Sequence, residues 1–154
     1  MADDGQIPFP VLPDGAGSMD ADAPGTLTFT ASGLGYRILR AGAGAKPSAS
    51  QSVEVHYHGW LGDGRVFDSS YRRGQTISFG LNQVIKGWTE GMQLVGEGGM
   101  IELKIPSDLG YGARGAPGVI PGNATLHFLN APPYWGEQLH ALFLPPSLSS
   151  FDDQ

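Results

Sequence analysis

Apolar and aromatic side chains, rather than charged ones, are the residues whose spacing indicates chemistry in this sequence. Tyr111, Val119 and Ile120 lie in the stretch YGARGAPGVIPG, which is rich in glycine and proline and reads as a loop. A loop that presents apolar side chains typically lines a binding pocket. Further residues of this kind stand at the edges of predicted elements: Tyr57, Phe67, Trp88 and Phe128. Each of them taken alone is more simply explained as a core residue, so the loop is the feature that indicates a cleft.

Two histidines, His56 and His58, are spaced two apart on one face of a predicted strand, where imidazoles can chelate a metal ion. Protein zinc sites use three or four protein ligands, and no third ligand lies nearby in the sequence. A solvated strand face is therefore the favoured interpretation, and no metal or cofactor is predicted. The chain has no cysteine, which excludes thiolate chemistry. It also lacks a nucleophile elbow, a phosphate-binding loop and a dinucleotide fingerprint.

The formal net charge of −6 is concentrated at the two ends of the chain. Residues 1–24 carry five Asp and residues 129–154 carry one Glu and two Asp, and neither stretch contains Lys or Arg. No basic cluster exceeds the pair Arg72 and Arg73, so no nucleic-acid surface is predicted. The sequence shows neither a signal peptide at its start nor an apolar run as long as a membrane span. We therefore expect a cytoplasmic protein without membrane partners.

The elements that must position the apolar residues are short strands and one helix. The stretch SVEVHYHGWL alternates, with Val53, Val55 and Tyr57 on one face, and further strands are predicted at 36–40, in ISFGL, in MIELKIP and in ATLHF. Ile85, Trp88 and Met92 follow the i, i+3, i+7 spacing of a short amphipathic helix, for which Asn82 is a plausible N-cap. The sequence thus predicts an α+β fold, with an antiparallel sheet of four or five strands and one short helix.

The ends of the chain are predicted to differ from the middle. Residues 1–25 show no periodicity and are expected to form a disordered acidic arm. After ATLHF, continued alternation would bury Asn130, and Pro132 and Pro133 have no N–H for a sheet ladder. The last strand is therefore expected to stop near Leu129, which leaves residues 130–154 as an atypical proline-rich tail.

Three separated blocks resemble the signature blocks of the FKBP-type peptidyl-prolyl cis-trans isomerases. They are VHYHGWLGDGRVFDSS, VIKGWTEGMQLVGEGG and IPSDLGYGARGAPGVIPGNATLHF, and the preceding TASGLGYRILRAG is similar to the lead-in strand of the family's bacterial, macrophage-infectivity-potentiator-like branch. The resemblance covers residues 32–128, with the blocks in the family's order and near its spacing. It implies a half-barrel-like sheet wrapped on the helix, with an isomerase domain at 26–129.

The resemblance also implies a proline-binding pocket with the loop as its flap. Trp88 would be its floor and would act on the substrate together with Asp68 and Tyr111. The substrate-binding residues implied are Tyr57, Phe67, Arg73, Val84, Ile85, Val119, Ile120 and Phe128. The sequence departs from the family at Ile77, where an aromatic residue is frequent, and at Gly80 and Gly122, where proline is frequent and glycine should loosen the turns.

The chemistry of proline isomerisation suits such residues. Rotation about an X–Pro bond breaks amide resonance, with a barrier of roughly 18–20 kcal/mol, but it makes and cleaves no covalent bond. A dry apolar pocket disfavours the polar planar amide more than the twisted one, and therefore lowers the barrier. Asp68 could contact the twisted carbonyl carbon or could order the pocket through Arg73 and Tyr57; the second role is favoured because the reaction needs no acid or base.

Three functions stay open at this point. The leading one is isomerisation of X–Pro bonds in proline-containing peptides and unfolded proteins, inhibited by macrolides such as rapamycin. The alternative is a module that binds proline peptides or macrolides with little or no turnover. In the third, the altered tail destabilises the domain, and the exposed aromatic residues Trp135, Phe143 and Phe151 drive association.

Overall fold

The computed structural model describes residues 6–132, which form a seven-stranded antiparallel sheet around a short helix. The strands are β1 (Thr28–Phe29), β2 (Gly35–Arg40), β3 (Ser52–Leu61), β4 (Val66–Ser69), β5 (Ile77–Gly80), β6 (Met100–Ile105) and β7 (Leu126–Ala131). The helices are α1 (Ser70–Arg73) and α2 (Lys86–Gly91), with 3-10 turns at Leu81–Gln83, Met92–Leu94 and Ser107–Leu109. The predicted α+β class is confirmed. The strand count exceeds the predicted four or five because the prediction did not include β1, which is only two residues long, or the four-residue β4.

The ten-residue strand β3 organises the sheet. One edge pairs with β7, and the other pairs first with β5, along Ser52–Val55, and then with β4, from His58 to Trp60. Its side chains alternate as predicted, with Val53, Val55 and Tyr57 buried on the inner face. Tyr57 therefore lies at the gap between β5 and β4, where the sheet opens.

Helix α2 packs unusually close to β6 because two glycines face the sheet. A Cβ atom at Gly87 would lie 2.7 Å from Ile105, and one at Gly91 would lie 2.6 Å from Leu103. This approach seals the inner core and directs Trp88 toward the gap in the sheet. The predicted capping role of Asn82 is wrong, since Asn82 lies in the 3-10 turn and Ile85 precedes the first helical residue without a side-chain cap.

Residues 6–24 differ from the expected disordered arm, because they lie across the outer face of the sheet without regular secondary structure. We call this segment the strap. Its apolar residues pack with outer-face residues of the sheet into a second core cluster: Leu12, Ala16, Met19 and Ala23 from the strap, with Leu39, Met100, Leu129 and Ala131. The segment has no periodicity because it follows no strand or helix, and a composition-based argument could not detect that a sheet face covers it.

Arg37 fixes the strap to the sheet from a buried position on β2. Its guanidinium donates to the carbonyl oxygens of Ile7, Pro8 and Pro24 at 2.9–3.3 Å. The same group forms an ion pair with Glu102 at 2.6 Å. Four of the five N–H groups of the buried cation thus have acceptors, and three of these acceptors are backbone carbonyls that have no ladder partner of their own.

Strand β7 runs two residues further than the predicted stop at Leu129. Asn130 pairs with Tyr57 on one side and Ile101 on the other, and its side chain is fully buried, as the alternation predicted. Its Nδ2 lies 3.4 Å from the Met92 sulfur. The carbonyl of Pro132 still accepts a hydrogen bond from Gly98, so the first proline ends the strand without breaking it. The remaining predictions for the tail, at 133–154, lie outside the described residues.

Candidate active site

A cavity of about 520 Å³ opens at the gap between β4 and β5, beside Trp88. It lies on the inner face of the sheet and is bordered by the turn into α2 and by the loop that begins at Tyr111. Most of its surface comes from apolar side chains. The lining residues are Tyr57, Phe67, Asp68, Ile77, Phe79, Gln83, Val84, Ile85, Trp88, Tyr111 and Phe128.

Trp88 forms the floor of this cavity and is held by three aromatic neighbours. The rings of Tyr57, Phe79 and Phe128 lie 5.3, 5.1 and 5.2 Å from the indole, at interplanar angles of 70°, 89° and 81°. Edge-to-face contacts of this kind add about 0.5–1.5 kcal/mol each to the energy of apolar burial. The indole is only 4% exposed, so its position is fixed by packing while one part of it borders the cavity.

Gly59 on β3 makes room for the aromatic wall. A Cβ atom at this position would lie 2.7 Å from both Phe67 and Phe128, whose rings meet edge to face at 5.5 Å. Any side chain here would push the two rings apart. The glycine in VHYHGWL is therefore a packing requirement of the cavity.

One polar network lies at the edge of the cavity and joins three elements. The Tyr57 hydroxyl on β3 donates to Asp68 Oδ2 on β4 at 2.6 Å. Arg73, the last residue of α1, donates to Asp68 Oδ1 at 2.5 Å and to the Tyr57 hydroxyl oxygen at 2.8 Å. Gly74 ends α1 in the left-handed conformation, with a φ of 74°, and its N–H bonds back to Ser70 and Tyr71. The short helix thus places the guanidinium over both partners.

The network sets the protonation of its members. Burial raises the pKa of Asp68, but hydrogen bonds from Tyr57 and Arg73 outweigh burial, so that the pKa lies below its usual value. Burial, together with the neighbouring carboxylate, raises the pKa of the Tyr57 hydroxyl. At neutral pH, Asp68 is ionised and Tyr57 retains its proton. Both carboxylate oxygens already accept hydrogen bonds from the protein itself.

The loop after Ser107–Leu109 presents Tyr111 at the rim. Tyr111 is 43% exposed, and its hydroxyl has no hydrogen-bond partner within residues 6–132, so it can donate to a ligand. The loop is closed by hydrogen bonds between Ala116 and Ile120 and by a close backbone approach at Gly115, where a Cβ atom would lie 2.3 Å from the Ile120 carbonyl oxygen. A Cβ atom at Gly122 would lie 2.1 Å from the Ala113 carbonyl, so glycine tightens this turn rather than loosening it.

The structure brings most of the sequence-predicted residues together. Eight of them line the cavity, and Arg73 reaches it through the polar network. Val119 and Ile120 do not line it, because Val119 points outward and is 50% exposed while Ile120 is buried in the inner core. The cavity also uses Phe79 and Gln83, which the prediction left out, and Ile77, which it named only as a departure from the family at the edge of the pocket. The shared face of Ile77 and Phe79 in the ISFGL strand was the signal that could have found Phe79.

The histidines His56 and His58, considered above as metal ligands, lie on the outer face and are partly buried rather than solvated. Within the described part of the chain, no group of three or more His, Cys, Asp or Glu side chains is arranged to hold a metal ion. Among the same residues, no helix is long and apolar enough to cross a membrane.

Known proteins show the same pattern of residues and the same fold. A family model described as FKBP-type peptidyl-prolyl cis-trans isomerase matches residues 44–129, more than half of the chain. A probable FKBP-type peptidyl-prolyl cis-trans isomerase of Haemophilus influenzae is 54% identical over 99 residues, which are 64% of this chain and 41% of the relative. The outer membrane protein MIP of Legionella longbeachae is 46% identical over 111 residues, covering 72% of this chain and 47% of the relative.

The crystal structure of FkpA from Escherichia coli superposes with a TM-score of 0.67 at 44% sequence identity, over 70% of this chain and 50% of that one. This likeness agrees with the half-barrel-like sheet that the resemblance implied. The chain spans less than half the length of the curated relatives it matches. From the family model and these identities, the chain belongs to the FKBP-type peptidyl-prolyl cis-trans isomerase family.

Proposed function

We propose that this chain accelerates cis-trans rotation of X–Pro bonds in proline-containing peptides and unfolded proteins, with the cavity beside Trp88 as its active site. The observation that carries this proposal is an aromatic cavity of about 520 Å³ that ends on an indole held by three rings. A pyrrolidine ring is apolar and compact enough to lie against such a floor. Family membership supports the same reaction.

The proposed mechanism depends on binding the twisted amide more tightly than either planar isomer. The planar amide carries charge separation across its C–N bond, which an apolar wall of Phe67, Phe128 and Ile85 solvates poorly. The twisted amide has lost much of that separation, so the cavity disfavours it less. Each 1.4 kcal/mol of such differential binding accelerates rotation about tenfold.

The two polar side chains at the rim have different proposed roles. The free hydroxyl of Tyr111 donates to a substrate carbonyl and fixes the direction of the bound peptide. Asp68 orders the wall of the cavity, since both of its oxygens already accept hydrogen bonds from Tyr57 and Arg73. Bond rotation needs no proton transfer, so an occupied carboxylate is compatible with the reaction.

A direct test is the exchange rate between the cis and trans forms of a short proline peptide, followed by NMR exchange spectroscopy with catalytic amounts of the chain. We expect faster exchange than in buffer, and suppression when a macrolide such as rapamycin competes for the cavity. Shifted peptide signals without faster exchange would instead identify a binding module with little turnover. If the chain neither bound the peptide nor accelerated its exchange, the proposal would be contradicted.

The expected cytoplasmic location stays a prediction, because one relative carries the name of an outer membrane protein. Cell fractionation with an antibody against the native chain would decide between a cytoplasmic and an envelope location.

A further inference from the structure

Two histidines on the outer face of β3 each contact a serine that follows Asp68. His58 Nδ1 lies 2.8 Å from the Ser69 hydroxyl, and His56 Nδ1 lies 2.8 Å from the Ser70 hydroxyl. Both serines are buried. The segments HYH and DSS are therefore joined by two histidine–serine contacts, which lie immediately behind the polar network of the active site.

Each serine also forms a hydrogen bond with a residue of that network. The Ser70 hydroxyl accepts from the Tyr57 backbone N–H at 2.7 Å and donates to the Tyr57 carbonyl at 3.1 Å. The backbone N–H of Ser69 donates to the Asp68 carboxylate and contributes to lowering its pKa. The outer-face histidines are thus connected to Tyr57 and Asp68 through one serine each.

Hydrogen-bond accounting distinguishes the two contacts. Because the single proton of the Ser70 hydroxyl goes to the Tyr57 carbonyl, His56 Nδ1 must carry a proton and donate. Ser69 has no second partner for its hydroxyl among residues 6–132, so it can donate to His58 Nδ1 or accept from it. Burial lowers the pKa of both histidines, which favours neutral imidazoles.

Packing holds these imidazoles in place. The His56 ring stacks on Tyr71 of α1, with centroids 4.4 Å apart and an interplanar angle of 13°. Tyr71 packs in turn against the second core cluster, which includes Leu12 and Ala16 of the strap. His58 borders a depression whose other walls include Asp14 of the strap and Arg72 of α1.

We propose that His58 and His56 are positioning residues for the active site, acting through Ser69 and Ser70 on Asp68 and Tyr57. Neither histidine lines the cavity, so neither touches the substrate. Their contacts fix the turn from β4 into α1, and with it the distances from Asp68 to Tyr57 and Arg73. His58 has the more direct effect because Ser69 itself donates to the carboxylate.

The chain offers a matched control on the same face. His127 on β7 is also partly buried and stacks on Trp60, with centroids 5.6 Å apart, but it makes no hydrogen bond to the Asp68–Ser70 segment. Burial lowers its pKa as it does for the other two. A general effect of removing an outer-face histidine would therefore appear equally at His127 and His58.

The test compares His58→Leu, His58→Asn and His127→Leu by two readouts. The first is the Asp68 titration, followed by the NMR signal of its carboxyl carbon, and the second is kcat/KM on a proline peptide. His58→Leu should raise the pKa of Asp68 and lower kcat/KM by about three- to tenfold, the fold-change of one lost hydrogen bond. His58→Asn, whose amide reaches Ser69 without a titrating ring, should restore both, and His127→Leu should change neither.

Three results would overturn the proposal: an unchanged Asp68 titration in His58→Leu, an equal effect of His127→Leu, or no rescue by His58→Asn. Should His58→Leu fail to fold in a thermal melt, Ser69→Ala removes the same contact and must give the same two changes. The kinetic readout rests on the proposed isomerase function, whereas the Asp68 titration does not. A wild-type chain without activity would therefore refute the function and still leave the titration to decide the inference.

Discussion

The hydroxyl of Tyr57 lies 2.6 Å from Asp68 Oδ2, and Arg73 bridges the two from the end of α1. These three side chains come from three elements that meet at the gap between β4 and β5. Because both oxygens of the ionised carboxylate accept hydrogen bonds from the protein, we propose that Asp68 affects catalysis only through the shape of the cavity wall. If the three side chains act as one unit, the effects of combined substitutions on kcat/KM should not be additive.

We expect Tyr57→Phe, Asp68→Asn and Arg73→Gln each to lower kcat/KM by about three- to tenfold, because each removes hydrogen bonds of the same network. The double variant of Asp68 and Arg73 should lose less than the product of the single losses, since contacting residues are not additive. Arg72→Gln is the matched control, because Arg72 lies on the outer side of α1. An Asp68→Asn loss about a hundredfold larger than that of Arg73→Gln would instead indicate direct action of the carboxylate on the substrate.

Stability should fall as the pH drops below neutrality. Burial lowers the folded-state pKa of His56, His58 and His127 from the usual value of 6.5. In the window between the folded and unfolded values the unfolded chain binds more protons, so the free energy of unfolding falls as the pH decreases through it. The folded pKa of Asp68 is also lowered, so its contribution is present above the unfolded value of about 3.9 and is lost as pH falls through the folded value.

Urea unfolding at a series of pH values would measure this slope. We expect His127→Gln to flatten part of the decline between neutral pH and pH about 5, because it removes one of the three titrating imidazoles. A free energy of unfolding that rises between neutral pH and pH 5 would contradict this assignment.

Replacing Arg37, the cation that anchors the strap, should lower the free energy of unfolding. Arg37→Met leaves Glu102 as a buried charge without its partner, and breaking such a pair typically destabilises a fold by about 3–5 kcal/mol. Limited proteolysis should then cleave within residues 6–24, which lose three backbone contacts to the guanidinium. Arg65→Met, at an exposed turn, is the control and should change neither the unfolding midpoint nor the cleavage pattern. A stable, uncleaved Arg37→Met variant would show that apolar packing and the Arg40 hydrogen bonds hold the strap without Arg37.

Asn130 is a place where substitution should stabilise the protein. Its Oδ1 has no hydrogen-bond partner within the described residues, and its Nδ2 reaches only the weak sulfur acceptor of Met92. Asn130→Val removes an unsatisfied buried group and suits a central strand, so we expect a gain of about 1 kcal/mol in the free energy of unfolding. A measured loss of similar size in denaturant unfolding would mean that the amide has a partner, such as a buried water.

Local sequence patterns predicted the long strand β3 and the helix α2 correctly. The alternation in β3 gave its inner face correctly, and the spacing of Ile85, Trp88 and Met92 located the helix because each depends only on near neighbours in the chain. The pairing of Arg73 with Asp68 and Tyr57 came from the family resemblance, since no periodicity relates α1 to β3. The side-chain directions of Val119 and Ile120 could not be predicted, because the orientation of a loop residue depends on hydrogen bonds such as that between Ala116 and Ile120.

The strap shows why the remainder escaped prediction. Residues 6–24 have the composition of a disordered segment, yet a sheet face formed by β2, β6 and β7 buries their scattered apolar side chains. The side-chain donors that satisfy the strap's backbone come from Arg37 and Arg40, further along the sequence. When an irregular segment packs on a surface formed by distant residues, its own sequence carries no periodic pattern that would predict the packing.

The most direct test of the account is kcat/KM for proline-peptide isomerisation by the wild-type chain, Trp88→Leu and Val95→Ala. Both substitutions shorten a side chain of the inner core, but only Trp88 borders the cavity. The account predicts a loss of about tenfold or more for Trp88→Leu, since the floor that receives the pyrrolidine ring is removed. It also predicts an unchanged rate for folded Val95→Ala. A Trp88→Leu variant that isomerises the peptide as fast as the wild type would contradict it.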